Sequence, residues 1–391
     1  MSFSISWNDY SENADNSFYI NTRNFEILSE KSIKSKNNLT HIFIEGDNYP
    51  SLKLLQKEFE GKIDLIYTDP PYNTGKAFTY SDSMETAQWL SFMSRRLKMA
   101  RTMLKETGCI FIAIGAEQVH LLRILCDQIF GEENFINDFM WLHGKGKKDS
   151  WSRTMQQSNL CYAKNKKKLA PFSDTEETDW ATKNPDNDSR GAWFSGSISF
   201  DEKRSNPKNK NYYEIVSPSG IHWKRQWLIS REEMQILIDE NRIYWGNAPE
   251  YSNVPREKIF NGQVKDIIPK NIIFDAQSTR SAQKHVDDLL GEKNCFDNPK
   301  PVDLIRHFIQ ITGMKRDITV MDIFAGSGST FEAVMEQNET DGGKRRCILI
   351  QKPEEIKKES KYKTISELCY ERVKAVLKNK DDGIEYRLLK T

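Results

Sequence analysis

No stretch of this sequence is apolar for long. Its longest apolar runs, such as Cys109 to Ile114, fall well short of the roughly 18 residues a membrane helix needs. The N-terminus (MSFSISWNDYSENADN) has neither a basic start nor an apolar stretch, so neither a membrane protein nor an exported one is expected, and the cytoplasm is the natural compartment. Cysteine is scarce and scattered. Cys109, Cys126, Cys161, Cys295, Cys347 and Cys369 stand singly, with no CxxC and no Cys/His cluster, which argues against a zinc site or a disulfide framework. No metal is expected. Charge of one sign is missing too: Lys+Arg 57 against Asp+Glu 56 leaves a net +1, so any nucleic-acid-binding surface must be local. Internal repeats and low-complexity tracts are absent. What is present is length, since 391 residues allow about two to three domains or one large core with an insertion.

Residues 1–40 are polar and lack lasting periodicity, and read as an arm without a core element. From His41 short β-branched runs alternate with amphipathic stretches, the pattern of βαβ units in a mostly parallel sheet. Residues 41–165 supply strands at His41 to Glu45, Ile63 to Tyr67 and Cys109 to Ile114, and a strand pair at Phe135 to Leu142 and Asn159 to Ala163. Helices are expected over Ser51 to Phe59, Glu85 to Lys105 and Gln118 to Phe130; the second carries Trp89, Phe92, Met93, Leu97, Ala100, Met103 and Leu104 on one face, and Gly108 stops it. Residues 166–270 shift to Asn, Asp, Ser, Gly and Pro with many aromatics, and read as an inserted domain. Between Phe200 and Arg231 it has seven Lys/Arg against three Asp/Glu, interleaved with Phe200, Tyr212, Tyr213, Trp223 and Trp227. Those aromatics fit a small core better than stacking platforms. Residues 271–391 resume the α/β pattern with a helix over Val302 to Thr312, a strand at Ile318 to Phe324, a helix over Ser329 to Gln337, a strand at Arg346 to Ile350 and a helix near Ile365 to Lys378.

Two segments sit where such a sheet binds ligands, at the carboxyl ends of strands. Asp69-Pro70-Pro71-Tyr72 follows Ile63 to Tyr67. Its prolines stiffen the chain and remove two donors, leaving carbonyls to accept. A carboxylate beside a carbonyl can grip one amino group, and Tyr72 offers a flat face for stacking. The second segment is Asp322-Ile323-Phe324-Ala325-Gly326-Ser327-Gly328-Ser329-Thr330, a strand, a glycine turn and a helix start, where Ser329 or Thr330 is placed to cap the helix. It lacks the GxGxxG spacing of dinucleotide enzymes, since Phe331 stands three after Gly328, and the next strand ends at Gln351 instead of an acid.

Asp69 to Tyr72 together with Phe324 to Gly328, in that order and 257 residues apart from Asp69 to Gly326, resembles the β class of amino-group DNA methyltransferases. The likeness covers about residues 41 to 380 and includes Gly46-Asp47-Asn48, Asn184 to Gly191, Phe296-Asp297-Asn298-Pro299-Lys300-Pro301 and Tyr362 to Glu367. It is closest to the modification subunits of type III restriction systems and to stand-alone relatives. The resemblance implies a doubly wound, Rossmann-like α/β sheet, circularly permuted so that the Phe324 to Gly328 strand is its first and His41 to Glu45 its third, with residues 166–270 as a target-recognition domain. It implies S-adenosylmethionine as cofactor, held by Asp47, Asp69, Pro70, Lys300, Phe324, Ala325, Gly326, Ser327, Gly328, Ser329, Thr330 and Gln351. By the same resemblance, Asp69, Pro70, Pro71 and Tyr72 are expected to act on the target base. Duplex DNA is the expected partner, contacted by Lys166, Lys167, Lys168, Arg190, Lys203, Arg204, Lys224 and Arg225; Lys166 to Lys168 read equally as a solvated loop. A homodimer and a restriction subunit are further expected partners. One departure is that Gln156-Gln157-Ser158-Asn159 stands where His-Glu-Tyr is often found.

The expected reaction is transfer of a methyl group to the N6 amine of a flipped-out adenine. The alternatives are the N4 amine of cytosine, which two acceptors grip equally well, and RNA as substrate.

Overall fold

The computed structural model of the chain describes residues 5–12, 23–75, 83–143, 151–177, 179–314 and 316–390. The chain divides into two compact units, Met1–Ser173 with Pro269–Thr391, and Asp174–Ile268. The larger unit opens with strands β1 (Phe25–Ile27), β2 (Thr40–Glu45), β3 (Ile63–Thr68), β4 (Leu104–Ile114), β5 (Phe135–Leu142) and β6 (Gln156–Ala163). The smaller holds β7 (Asp174–Glu177), β8 (Trp193–Ser197), β9 (Tyr212–Val216), β10 (His222–Gln226), β11 (Ile243–Tyr244), β12 (Arg256–Phe260) and β13 (Val264–Ile267). The larger resumes with β14 (Ile272–Ile273), β15 (Thr319–Asp322), β16 (Arg346–Gln351) and β17 (Gly383–Leu389).

One ten-stranded sheet runs through the larger unit in the order β1-β17-β2-β16-β15-β3-β4-β6-β5-β14. From β17 to β4 neighbours are parallel, and β6 returns antiparallel between β4 and β5. The central strands are apolar on both sides because helices cover both faces. Leu65, Tyr67, Phe111 and Ala113 pack into one core and Ile66, Ile110, Ile112 and Ile114 into the other. Starting from the glycine turn, the order β15, β16, β2 on one side and β3 on the other is that of a permuted doubly wound sheet. The carboxyl ends of these four strands are therefore neighbours.

Three local expectations are corrected. The helix starting at Thr86 ends at Met103, and Leu104–Ile114 is strand throughout. Gly108 is no helix stop but lies inside β4, opposite a register shift in β3, where an added β-carbon would come within 2.8 Å of the Asp64 carbonyl oxygen. The first forty residues are not bare of core elements: β1 pairs antiparallel with β17, and Ile5 and Trp7 pack on the second core. The helix Thr279–Leu290 and strands β14 and β17 were not foreseen.

The smaller unit has a three-stranded sheet β11-β12-β8 and the strand pairs β10-β9 and β13-β7. Ile198, Tyr213, Ile215, Trp227, Met234, Ile243 and Trp245 form its core, so most of its interleaved aromatics serve packing. A capping box between Ser230 and Glu233 starts its helix, Arg231–Asp239. Among the described residues no helix is long and apolar enough to cross a membrane.

Backbone oxygens close around Gly108, and they cannot turn aside as a flexible side chain would. Gly108→Ala should therefore destabilise the chain by about 1–3 kcal/mol, read as a lowered thermal midpoint with unchanged far-ultraviolet dichroism at low temperature.

Candidate active site

Asp69-Pro70-Pro71-Tyr72 leaves the carboxyl end of β3. The Pro71 carbonyl is not available as expected, because the Trp89 indole donates to it at 2.9 Å; this anchors the segment to the helix Thr86–Met103. No hydrogen bond reaches the Pro70 carbonyl among the described residues. Asp69 is split in its duties. Its Oδ2 accepts from the Lys300 ammonium at 2.6 Å, while Oδ1 is buried and lacks a partner among the described residues, as do the Tyr67 hydroxyl and Thr68 Oγ1 before it. Folded proteins rarely leave such atoms unpaired, and a catalytic role is one reason they do. The Lys300 ammonium also lies 5.1 Å from the centre of the Tyr72 ring, and the Tyr72 hydroxyl approaches Gln157 Oε1 at 3.4 Å. Asn73 takes a left-handed conformation, and its side-chain oxygen accepts from the Met84 amide at 2.6 Å.

Next to β3, β15 delivers the glycine turn. The Phe324 amide donates to Asp322 Oδ1 at 3.0 Å and the Thr330 hydroxyl to Asp322 Oδ2 at 2.5 Å. Burial pushes the Asp322 carboxyl up to about 7, opposed by these two hydrogen bonds. Gln351, at the end of β16, accepts from the Gly326 amide at 2.7 Å, so it shapes the turn itself. Gly328 is the helix N-cap at φ 83°, and a side chain there would strike the Cys369 sulfur at 3.2 Å. Neither expected hydroxyl caps the helix Ser329–Asp341. Thr330 is committed to Asp322, and Ser329 donates to the Lys300 carbonyl at 2.8 Å. With no side-chain cap, the amides of the helix start are left without a side-chain acceptor there.

At the end of β2, Asp47 caps the helix Asn48–Phe59 through the Tyr49 amide. The same oxygen accepts from Arg96 at 3.1 Å. Arg96 is almost fully buried and also donates to Asn48 Oδ1 at 2.5 Å, while the Asn48 amide donates to the Ile323 carbonyl at 2.7 Å. Asp47 is thus tied to the strand that carries the turn. Sequence reasoning missed Arg96 and Trp89 as supports of the site. A signal for Arg96 existed, since it stands between Met93 and Ala100 on the apolar stripe of its helix.

The expected DNA contacts separate into two groups. Lys166, Lys167 and Lys168 follow the far end of β6, which runs antiparallel to β4, so they lie at the sheet edge opposite Asp69. Lys166 donates to the Phe135 carbonyl at 2.7 Å and Lys168 pairs with Glu106 at 3.2 Å, while all three lysines remain exposed. Arg190 and Arg225 already have partners within the smaller unit. Arg190 is pinned to Asp188 at 2.7 Å and to the Glu240 and Asn241 carbonyls, and it holds the Asp188 carboxyl below the usual carboxylate range. Arg225 is buried beside Ser199 and Glu202. Asn184 to Gly191 forms an internal network of the smaller unit, in which Asp186 and Asp188 hold the buried Lys258 at 2.5 and 3.0 Å. Lys203, Arg204 and Lys224 are exposed. Among the described residues no group of three or more His, Cys, Asp or Glu is placed to hold a metal ion.

A sheet in this order, with a glycine turn after its central strand and an acid-proline-proline-aromatic segment after the next, defines the Rossmann-like methyltransferase class. The DNA methylase family matches residues 63–362, and the chain belongs to that family. It is 31% identical to the type III restriction-modification enzyme StyLTI Mod subunit of Salmonella typhimurium, over 89% of this chain and 59% of that one. To the EcoPI Mod subunit of Escherichia phage P1 it is also 31% identical, over 87% of this chain and 62% of the relative. To the type II methyltransferase M.KpnI of Klebsiella pneumoniae it is 29% identical, over 86% of this chain and 88% of the relative. The chain spans about three-fifths of the two Mod subunits.

Because Asp322 holds a proton up to about 7 when folded but only to about 4 when unfolded, the folded chain binds more protons between those limits. Its contribution to stability is present at low pH and is lost as pH rises through this window. Asp322→Asn keeps an acceptor for Phe324 and a partner for Thr330, so the thermal midpoint of this variant should fall less than that of the parent between pH 4 and 7.

Proposed function

We propose that the chain is an S-adenosylmethionine-dependent DNA methyltransferase that modifies the N6 amine of a flipped-out adenine at a specific duplex sequence. The observation that carries this reading is the buried Asp69 Oδ1, which lacks a partner among the described residues at the carboxyl end of β3; with the carbonyl of the next residue, Pro70, it would offer two acceptors to one amino group. The names of the relatives support it, two being Mod subunits and the third a type II methyltransferase.

An exocyclic amine is a poor nucleophile because its lone pair is delocalised into the ring. Asp69 Oδ1 and the Pro70 carbonyl accept its two hydrogens and favour a more tetrahedral nitrogen with a directed lone pair. Bound S-adenosylmethionine supplies a sulfonium methyl as the electrophile. The residues fit such a cofactor: the uncapped start of the helix Ser329–Asp341 and the backbone of the Phe324 to Gly328 turn face the same edge as Asp69. Positioning does most of the work, and no covalent enzyme intermediate is needed. Lys300 holds Asp69 Oδ2, which leaves Oδ1 to face the amine. Flipping the base costs a few kcal/mol, offset by stacking on Tyr72 at about 1–3 kcal/mol.

Asp69→Ala should lower methyl transfer by on the order of a hundredfold or more while DNA binding persists. Labelled cofactor incubated with duplex DNA and with RNA, followed by mass spectrometry of the nucleosides, tests the substrate and the atom. N4-methylcytosine alone, or labelled RNA alone, would overturn the assignment.

The Asp174–Ile268 unit is proposed to contact DNA through Lys203, Arg204 and Lys224, and the chain to act as a homodimer that takes a restriction subunit as partner. Lys203→Glu combined with Lys224→Glu should weaken DNA binding and reduce its salt slope by about 1 per lost phosphate contact. An unchanged slope would place these residues away from DNA.

A further inference from the structure

The segment Tyr362 to Glu367 takes no part in the chemistry above, yet it fixes the start of the helix Ile365–Leu377. The Thr364 hydroxyl accepts from the Glu367 amide at 3.2 Å, and the Glu367 carboxylate accepts from the Lys363 amide at 2.7 Å. Tyr362 packs in a small core with Ile365 and Leu368. Setting this start sets what the next turns deliver. Cys369 fills the space beside Gly328, and Arg372, buried to 1% exposure, reaches the glycine turn from behind.

Arg372 grips the turn with one edge of its guanidinium and an acid with the other. Its Nη1 donates to the Ser327 carbonyl at 3.2 Å, the Ser327 hydroxyl at 3.0 Å and the Ser329 hydroxyl at 3.0 Å. Its Nε donates to Glu332 Oε2 at 2.8 Å, and Nη2 lies 2.7 Å from that oxygen. The other Glu332 oxygen is 2.7 Å from His285 Nε2, on the helix Thr279–Leu290. Burial alone would raise the Glu332 carboxyl, but His285 and Arg372 hold it down at about 2. A buried cation that loses its partners is far costlier than a broken surface pair. Any turn shape that abandons Arg372 is therefore disfavoured.

We propose that Arg372 is a positioning residue that holds Ser327 to Ser329 in the cofactor-receiving shape, braced by Glu332 and His285. The proposal rests on the reading that this turn receives S-adenosylmethionine. Ser329 links the clamp onward, since its hydroxyl also meets the carbonyl of Lys300, the residue whose ammonium holds Asp69.

Arg372→Lys keeps the charge but loses the planar fork that serves both edges. The dissociation constant for S-adenosylmethionine, measured by calorimetry on the full chain, should rise about tenfold, the loss of roughly one charge-assisted hydrogen bond. KM for the cofactor should rise with it, while kcat at saturating cofactor and affinity for DNA stay within about twofold. Glu332→Gln keeps the shape and one oxygen acceptor, and should loosen the cofactor in the same direction by about threefold. If Arg372→Lys does not fold, the Glu332→Gln measurement decides alone. Cofactor affinity within about twofold of the parent in the folded variants, or a loss in kcat without a change in affinity, would overturn the proposal. A parent chain that binds no S-adenosylmethionine would instead refute the proposed function.

Discussion

Lys300 ties the two halves of the site together. Its ammonium holds Asp69 Oδ2 and its carbonyl accepts from Ser329, so one residue fixes the acid at the end of β3 and the first helical turn after β15. Neither segment determines the position of the other, since they come from opposite ends of the sequence. A buried ammonium must keep its carboxylate. That requirement leaves Asp69 one oxygen without a partner among the described residues and keeps the glycine turn linked to it through Ser329.

Around this tie the structure repeats one device, a buried guanidinium that collects acceptors from several elements. Arg96 gathers Asp47 and Asn48, and through Asn48 the Ile323 carbonyl. Arg372 gathers Ser327, Ser329 and Glu332. A planar fork with five donors can join chain segments that a lysine could only touch singly. The ends of β2, β15 and β16 are thereby held from both faces of the sheet, with Gln351 adding a neutral contact to the Gly326 amide.

The smaller unit shows the same chemistry put to another use. Lys258, Arg190, Asp186 and Asp188 are drawn into its own framework, and Arg225 is buried elsewhere in the unit. In the basic segment Lys203, Arg204, Lys208, Lys210, Lys224 and Arg231 stay on its surface, of which Arg204 already shares Asp201. A local charge excess in the sequence is an upper bound on the charge a surface presents.

The resemblance implied the permuted order of the sheet; the alternation of strands and helices and the two segments after its strands were determined by the sequence itself. Those features are local: β-branched runs set extended backbone, and proline and glycine set the turns at Pro70, Pro71, Gly326 and Gly328. Gly108 shows the limit, since a glycine that reads as a helix stop is needed inside a strand for a close approach to Asp64. Only the tertiary structure decided which charges are buried and whom they meet. Lys300 and Asp69, Arg96 and Asp47, or Arg372 and Ser327 lie tens to hundreds of residues apart, so their pairing leaves no periodic trace. Lys166 to Lys168 read along the chain as one more basic run, and only the antiparallel course of β6 carries them to the edge opposite Asp69. Strand direction and burial are properties of the packed chain, and they decide where similar side chains come to lie.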